Sequence, residues 1–242
     1  MSRKGEKIYN KVKEGVESLK KKNKTLFMRL RKSRFQILRL LIKVEEEISP
    51  YTKGHSLKVY KYAIRTAKRL RLGRKEIAVI GRAALLHDIG KIAIDRSILN
   101  KPGKLTEKEF TVIKSHPVIG AEIVGEVEEL RPVCAHILYH HARYGGGGYP
   151  KHAFKHEDIP IGARIIAVAD SYDAMISDRP YRKAFNREYA IEELKRHAGE
   201  QYDPKIVETF IEMLEEDRQG YDVTYRRHGI SADINRYPYT FQ

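Results

Sequence analysis

Residues 74–90 read RKEIAVIGRAALLHDIG, a largely apolar segment that ends in an adjacent histidine and aspartate. The segment shows no strand alternation and Gly90 closes it, so we expect a mostly buried helix over 74–90. Burying an imidazole or a carboxylate is costly without a partner. The pair His87 and Asp88 therefore predicts either a satisfied polar contact in the core or a bound metal ion.

Helical periodicity continues on both sides of this segment. Thr106, with Glu109 three residues later, has the pattern of a capping box, and Pro117 suits the first position of a helix. No segment shows the sustained alternation of a strand, so we predict an all-α helical bundle. The other predicted helices of this part of the chain are 55–72, 105–115, 117–127, 131–144, 161–177, 187–198 and 203–216.

An N-terminal basic amphipathic helix is predicted to precede this bundle. Residues 1–49 hold 15 Lys/Arg and 6 Glu, so they carry most of the net charge of +15. The charge fits a solvated helix face, and attraction to nucleic acid or to an anionic membrane surface is the alternative. An apolar stripe along 7–48 predicts that this helix packs on the main domain or pairs with a second copy as a homodimer. The stripe consists of Ile8, Val12, Val16, Leu19, Leu26, Leu30, Leu38 and Leu41.

The chain of 242 residues is long enough for one sizeable core with an appendage. We divide it into a basic helical arm (1–48), a helical domain (49–217) and a C-terminal tail (218–242). A single cysteine, Cys134, excludes an internal disulfide. The single cysteine, together with the lack of a signal peptide and of an apolar run long enough for a membrane span, predicts a cytoplasmic protein.

Polar residues interrupt these apolar helices at seven positions. A lone histidine there is more often a satisfied core residue than a ligand, but Asp170, within RIIAVADSYDAM, would be a buried carboxylate, which is rare unless paired or metal-bound. Adjacent helical residues point about 100° apart, so His87 and Asp88 can reach two neighbouring centres, and the two oxygens of Asp88 could bridge them. One shared metal site is therefore our hypothesis for His55, His87, Asp88, His116, His140, His141 and Asp170.

Five blocks of the sequence resemble the HD-GYP family, part of the HD superfamily of metal-dependent phosphohydrolases. They are SPYTKGHS (49–56), LLHDIGKIAIDRSILNKPGKLTEKE (85–109), SHPVIGAEIV (115–124), HHARYGGGGYP (140–150) and IPIGARIIAVADSYDAMISDRPYRKA (159–184). Their order and spacing match the family over residues 48–215. The resemblance implies an HD-domain bundle that hydrolyses cyclic di-GMP to pGpG, GMP or both by a two-metal hydroxide mechanism.

The resemblance also implies a role for each site residue. It places one metal on His55, His87, Asp88 and Asp170. It places the second on Asp88, His116, His140 and His141, with Asp88 as the bridge. It gives catalytic roles to Asp88 and Lys91, with Lys91 on the scissile phosphate, and it puts Arg179 and Arg182 on the phosphates or guanine of the substrate.

Mixed imidazole and carboxylate ligands suit iron or manganese better than calcium. Two such ions can bind one hydroxide and brace both the attacking and the leaving oxygen of a phosphodiester. Tyr51 stands where some family members have a glutamate that binds a third metal, so we expect two. The resemblance further implies a cyclic dinucleotide as substrate, a diguanylate cyclase as partner and no specific nucleic-acid polymer.

The loop HHARYGGGGYP departs from the family pattern HHE-x-x-DG-x-GYP. Ala142 replaces a glutamate and Gly145 replaces an aspartate. Neither position is a metal ligand in the family, so we expect the metal site to survive, while the loop loses two carboxylates. Two other functions stay open: a non-catalytic protein that senses the nucleotide or docks on a signalling partner, and a phosphohydrolase of another nucleotide.

Overall fold

The structure is a computed structural model that describes residues 3–48, 54–151, 154–178 and 182–216. The regular structure in these ranges is helical, apart from isolated bridge residues that include the pairs Ala142–Gly148 and Ala198–Tyr202. The prediction of an all-α fold is therefore confirmed. None of the helices in these ranges combines the length and the apolar character that crossing a membrane requires.

The chain divides into two compact units, with the boundary between Leu41 and Ile42. The described part of the first unit is a single helix, α1, which spans Arg3–Ile48 and enters the second unit with its last residues. Its sequence is rich in good helix formers and contains no proline, which explains the unbroken run predicted over 7–48. The predicted C-terminal tail, 218–242, lies outside the described residues.

The second unit contains the remaining helices. The α-helices are α2 His55–Arg69, α3 Arg74–Leu86, α4 Arg96–Leu99, α5 Glu107–Ile113, α6 His116–Gly125, α7 Cys134–Leu138, α8 Ile161–Ile176, α9 Arg187–Arg196 and α10 Pro204–Glu216. Short 3₁₀ helices lie at Ile89–Ala93, Glu128–Val133 and His156–Asp158. The capping box predicted for Thr106 and Glu109 is present at the start of α5.

The core of this unit lies where α2, α3, α8 and α10 pack together. Ala63, Ile80, Ile166 and Phe210 are fully buried there. Gly81 allows α2 and α3 to approach closely, because a Cβ at that position would lie 2.7 Å from the side chains of Ile64 and Tyr60. These helices form a rigid base on which polar side chains can be held in fixed positions.

Two predicted helices end at least four residues earlier than expected. The helix predicted over 74–90 stops at Leu86, and the one predicted over 131–144 is a 3₁₀ turn followed by α7, which stops at Leu138. His140 and His141 therefore lie in a turn after α7 rather than on its last turn. At both ends an imidazole hydrogen-bonds a carbonyl three residues back, at a place where helix carbonyls lack an intrahelical partner.

A close backbone contact brings two site segments together. A Cβ on Gly90 would lie 2.0 Å from the carbonyl oxygen of His116 and 2.6 Å from the amide nitrogen of Gly120. Only glycine fits this approach, so the 3₁₀ helix that follows Asp88 packs directly on the first turn of α6. His116, the first residue of α6, is thereby held beside Asp88.

Candidate metal centre

The structure brings all seven predicted ligands together. His55 starts α2, His87 and Asp88 follow α3, His116 starts α6, His140 and His141 follow α7, and Asp170 lies within α8. Five are buried, and His141 and Asp170 are half-buried. Five segments that are distant in the sequence of this unit thus place imidazoles and carboxylates around one space.

One group of side chains centres on Asp170. Its Oδ1 lies 3.1 Å from Nε2 of His55 and 4.0 Å from Nε2 of His87. Potential ligand atoms of these three residues all lie within 4.8 Å of one another, close enough to hold a metal ion.

A second group consists of His116, His140 and His141, whose potential ligand atoms also lie within 4.8 Å of one another. Nε2 of His116 is 3.3 Å from Nε2 of His140. The rings of His140 and His141 have centroids 4.0 Å apart. Three imidazoles therefore converge without a carboxylate of their own.

Asp88 lies between the two groups. Its Oδ1 is 3.3 Å from Nε2 of His116, and its Oδ2 is 3.5 Å from Nε2 of His87. The two oxygens thus face different groups, which is the arrangement that a bridging carboxylate requires.

Backbone carbonyls fix the chemistry of three of these histidines. Nδ1 of His87, His116 and His140 lies 2.9, 2.8 and 2.6 Å from the carbonyl oxygen three residues earlier. A neutral ring that donates its proton from Nδ1 to a carbonyl has a lone pair on Nε2. The second nitrogen is then available as a ligand, and this carbonyl contact sets both its tautomer and its direction.

Among the described residues, the inward nitrogens of these rings face carboxylate oxygens or one another. With Nδ1 protonated, Nε2 of His116 and Nε2 of His140 are both acceptors, so they cannot hydrogen-bond to each other across 3.3 Å. Nε2 of His87 is buried without a hydrogen-bond partner. Since buried acceptors are costly when unsatisfied, this donor set fits a cation in the space between them.

Burial keeps three of the histidines neutral. It lowers the pKa of His87, lowers the pKa of His140 further, and lowers the pKa of His141 to about 3. Burial opposes ionisation of Asp88, yet Lys91 and the neighbouring histidines outweigh it and hold the pKa of that carboxyl well below its usual range. Neutral imidazoles and an ionised carboxylate are the forms that bind metal.

His55 differs because two carboxylates hold it. Burial alone would lower its pKa, but hydrogen bonds to Asp170 and Asp173 outweigh burial and raise that pKa to about 9. Oδ2 of Asp173 lies 2.7 Å from Nδ1 of His55, and Asp173 is 1% exposed. Nζ of Lys58 is 3.4 Å from the other oxygen of Asp173.

Asp173 is the site residue that the sequence analysis missed. It lies three residues after Asp170 on α8, a spacing that places both carboxylates on the same side of a helix. A second aspartate in the apolar stretch RIIAVADSYDAM carried the same signal as the first, because a buried carboxylate requires a partner.

Lys91 and Tyr149 border the cluster. Nζ of Lys91 lies 2.5 Å from Oδ2 of Asp88, and 21% of the Lys91 side chain is exposed. The ring of Tyr149 stacks on His141, with centroids 4.5 Å apart. One residue thus adds a positive charge at the edge of the site, and the other holds an imidazole in place.

The glycine run forms a defined turn. Gly146, Gly147 and Gly148 have φ angles of 109°, 83° and 84°, which side chains rarely adopt. A Cβ on Gly148 would lie 2.3 Å from the carbonyl oxygen of His141. Hydrogen bonds from Arg143 N to Gly147 O and from Tyr149 N to His141 O close this turn over the second histidine group.

The two positions that depart from the family pattern are both enclosed. Ala142 is 6% exposed and packs with Ile159 and Ala163. The amide of Gly145 donates to the carbonyl of Glu200 at 2.7 Å, and a Cβ there would lie 3.1 Å from the carbonyl oxygen of Gly199. Small residues therefore match the local packing of this loop.

One of the two predicted substrate arginines, Arg182, lies within the described residues. Arg179 lies outside the described residues, as does Tyr51, the position of a third-metal ligand in some relatives. The guanidinium of Arg182 donates to the carbonyls of Ala174 at 2.8 Å and Met175 at 3.3 Å, near the end of α8. This contact satisfies the end of the helix, and the substrate contact of Arg182 stays a prediction.

Comparison with known proteins agrees with this geometry. Residues 37–206 match the family model described as HD domain. The chain is 39% identical over 184 residues to a cyclic di-GMP phosphodiesterase of Thermotoga maritima, covering 75% of this chain and 50% of that protein. It is 46% identical over 147 residues to the cyclic di-GMP phosphodiesterase response regulator RpfG of Xanthomonas campestris, covering 60% of this chain and 39% of that protein.

A solved structure shares the fold. The crystal structure of a cyclic GMP-AMP specific phosphodiesterase of Vibrio cholerae superposes with a TM-score of 0.56 and 19% identity, covering 75% of this chain and 49% of that one. The chain spans half the length, or less, of the two curated relatives named above.

Proposed function

The chain belongs to the HD domain family, and on that premise we propose that it is a metal-dependent phosphohydrolase that cleaves cyclic di-GMP to pGpG, GMP or both. Support for the substrate comes from the names of the two curated relatives, both cyclic di-GMP phosphodiesterases. The HD domain match, residues 37–206, includes every residue of the histidine and aspartate cluster.

One observation carries the proposal: imidazole nitrogens with lone pairs converge from separate segments on either side of Asp88. We propose two divalent metal ions, iron or manganese. His55, His87 and Asp170 would hold one, and His116, His140 and His141 would hold the other. Each oxygen of Asp88 faces one of these groups, so this residue would bridge them. When bound, two such ions lower the pKa of water and stabilise negative charge on a phosphodiester.

Other groups of the chain would orient the metal-binding imidazoles and the substrate. Backbone carbonyls bonded to Nδ1 of His87, His116 and His140 hold the Nε2 atoms of these rings inward, so the rings need to move little when a metal ion binds. The ammonium of Lys91 lies at the edge of the cluster, and it would stabilise charge that develops on a phosphate oxygen. Arg179 and Arg182 stay our predicted contacts to the substrate.

A 3′3′-cGAMP-specific phosphodiesterase of Vibrio cholerae is 36% identical to this chain over 196 residues, so a mixed cyclic dinucleotide is the second candidate substrate. A non-catalytic nucleotide sensor is the other alternative, because Ala142 and Gly145 remove two carboxylates from the loop. The complete set of seven candidate ligands favours catalysis over this alternative, and Ala142 and Gly145 fit the packing of the loop without those carboxylates. A diguanylate cyclase partner stays a prediction.

The test uses the full chain, stripped of metal and reloaded separately with Fe²⁺ or Mn²⁺. We expect about two metal ions per chain by elemental analysis, and turnover of cyclic di-GMP faster than that of 3′3′-cGAMP and cyclic di-AMP, with products identified by chromatography. Two bound metals without turnover of any cyclic dinucleotide, but with saturable binding of one, would support the sensor instead. A chain that binds no metal would contradict the proposal.

A further inference from the structure

A heptad repeat runs along α1 from Val12 to Val44. Its two seam positions alternate at spacings of four and three residues without a break. Position d is occupied by Val12, Leu19, Leu26, Ser33 and Leu40, and position a by Val16, Asn23, Leu30, Ile37 and Val44. Eight of these ten residues are aliphatic. An apolar repeat of this kind over more than four heptads is typical of a coiled coil, and the seam is about 48 Å long at ~1.5 Å per residue.

The seam is uncovered along its whole length in the single chain. The exposed fractions of its aliphatic residues range from 36% at Val44 to 61% at Leu40, and Asn23 and Ser33 are also exposed. Where α1 lies in the second unit, Ile42 at position f is 7% exposed, so packing there uses a different face of the helix. Leu41, which the predicted stripe included, lies at position e and is half-buried, and Ile37 and Leu40 continue the seam in its place.

We propose that α1 pairs with α1 of a second copy of this chain as a parallel, two-stranded coiled coil. β-Branched residues at position a and leucine at position d favour this form over trimers and tetramers. Position a holds Val16, Ile37 and Val44, and position d holds Leu19, Leu26 and Leu40. Three of the four aliphatic residues at each position thus meet these preferences, and the exceptions are Leu30 at position a and Val12 at position d.

Asn23 selects the occupant of the seam. It stands in the middle of an apolar face, where an aliphatic helix or a lipid surface would leave its amide unsatisfied. In a parallel pair in register, Asn23 faces Asn23 of the other copy and the two amides hydrogen-bond. A shift by one heptad would bury Asn23 against Val16 or Leu30, so this single residue fixes the register at some cost in stability.

The first test measures mass and its dependence on the seam. The full chain is expected to sediment as a dimer at micromolar concentration. Leu26→Glu, at position d, is expected to weaken dimerisation at least ~100-fold, because each pair would bury two like charges in an apolar seam. The matched control is Met28→Glu, which adds the same charge at position f, where Met28 is 53% exposed, and is expected to weaken dimerisation less than threefold. Circular dichroism of both variants checks that the helices persist.

The second test uses cysteine cross-linking to determine the relative orientation of the two paired helices, with Cys134→Ser as the background variant. Val16→Cys is expected to form a disulfide-linked dimer in high yield, because position 16 faces itself in a parallel pair. An antiparallel pair that set Asn23 against Ser33 would place residue 16 opposite residue 40, about 36 Å from its own copy at ~1.5 Å per residue. Cross-linking only in the variant that carries both Val16→Cys and Leu40→Cys would overturn the parallel arrangement.

Three further outcomes would overturn the proposal as a whole. They are a full chain that stays monomeric at high concentration, a dimer that Leu26→Glu leaves intact, and an assembly larger than a dimer. Binding of the monomeric chain to vesicles of anionic phospholipid would then assign the basic helix to a membrane surface.

Discussion

Oδ2 of Asp173 lies 2.7 Å from Nδ1 of His55, on the side of the ring opposite the nitrogen that faces Asp170 at 3.1 Å. The buried carboxylate therefore fixes which nitrogen of His55 points into the cluster. Carboxylates in this position orient metal-ligating histidines and increase their basicity.

Replacement of Asp173 is expected to weaken metal binding by the group that contains His55. Asp173→Ala should reduce metal affinity and turnover by about 10–100-fold, since the imidazole loses its orienting acceptor. Asp173→Asn keeps an acceptor of the same shape and is expected to recover part of the loss. Metal titration of the stripped protein and kcat on cyclic di-GMP are the measurements, with exposed Glu192→Ala as the control. Equal loss in Ala and Asn variants with normal metal affinity would contradict the orienting role.

Asp88→Asn is expected to remove the proposed bridge between the two metal ions. The amide retains the shape of the side chain but offers one oxygen and no charge, so it cannot bridge two cations. We expect turnover to fall at least ~1,000-fold, about 4 kcal/mol in the barrier, with less than two metals bound per chain. Metal analysis of protein shown to be folded by circular dichroism is the check. A folded variant with two metals and normal turnover would rule out the bridge.

Lys91→Ala is expected to lower kcat by about 100-fold while the metal content stays unchanged. Its ammonium lies at the edge of the site, where charge would develop on the phosphate in the proposed reaction, and Lys91 is not a proposed metal ligand. Lys104→Ala removes an equal charge from an exposed position and should leave kcat unchanged. Loss of metal in parallel with activity would show that Lys91 acts only through Asp88.

Restoring the glutamate of the family pattern is expected to destabilise this chain. Ala142 is buried against Ile159 and Ala163, so the carboxylate of Ala142→Glu would lack solvent and a described partner in that cluster. We expect the free energy of unfolding to fall by about 2–4 kcal/mol. Arg143→Glu introduces the same side chain at the exposed neighbour and should change it by less than ~0.5 kcal/mol. Urea unfolding of both variants gives the comparison, and an unchanged midpoint for Ala142→Glu would contradict it.

The capping box of α5 predicts a pH effect away from the site. Hydrogen bonds from Lys101 and from Thr106 lower the pKa of Glu109 to about 2. Since this value is below that of the unfolded chain, the contribution of Glu109 to stability is complete above about pH 4.5 and is lost as the pH falls toward 2. NMR titration should show the low pKa, and Lys101→Met should raise it. A normal pKa in the parent would mean that the box is not formed in solution.

The sequence by itself determined the helical class and the set of candidate ligands. Helical periodicity and Thr106 with Glu109 depend on neighbours in the chain, and such local rules predicted the helices of the bundle and the start of α5. The seven ligand candidates followed from the cost of burying polar groups in apolar helices, before any partner was known. Asp173 is also an aspartate in the apolar sequence of α8, so the cost of burying it could have identified it in the same way.

Only the tertiary structure decided how these residues meet. The helix ends at Leu86 and Leu138 depend on imidazoles that bond to carbonyls, and the position of His116 beside Asp88 depends on the backbone contact at Gly90. These are contacts between individual atoms, and the periodicity of the sequence does not predict their distances. Which oxygen of Asp88 faces which histidine, and which nitrogen of His55 faces inward, are set by packing between segments far apart in the sequence, because close packing leaves each buried side chain one position.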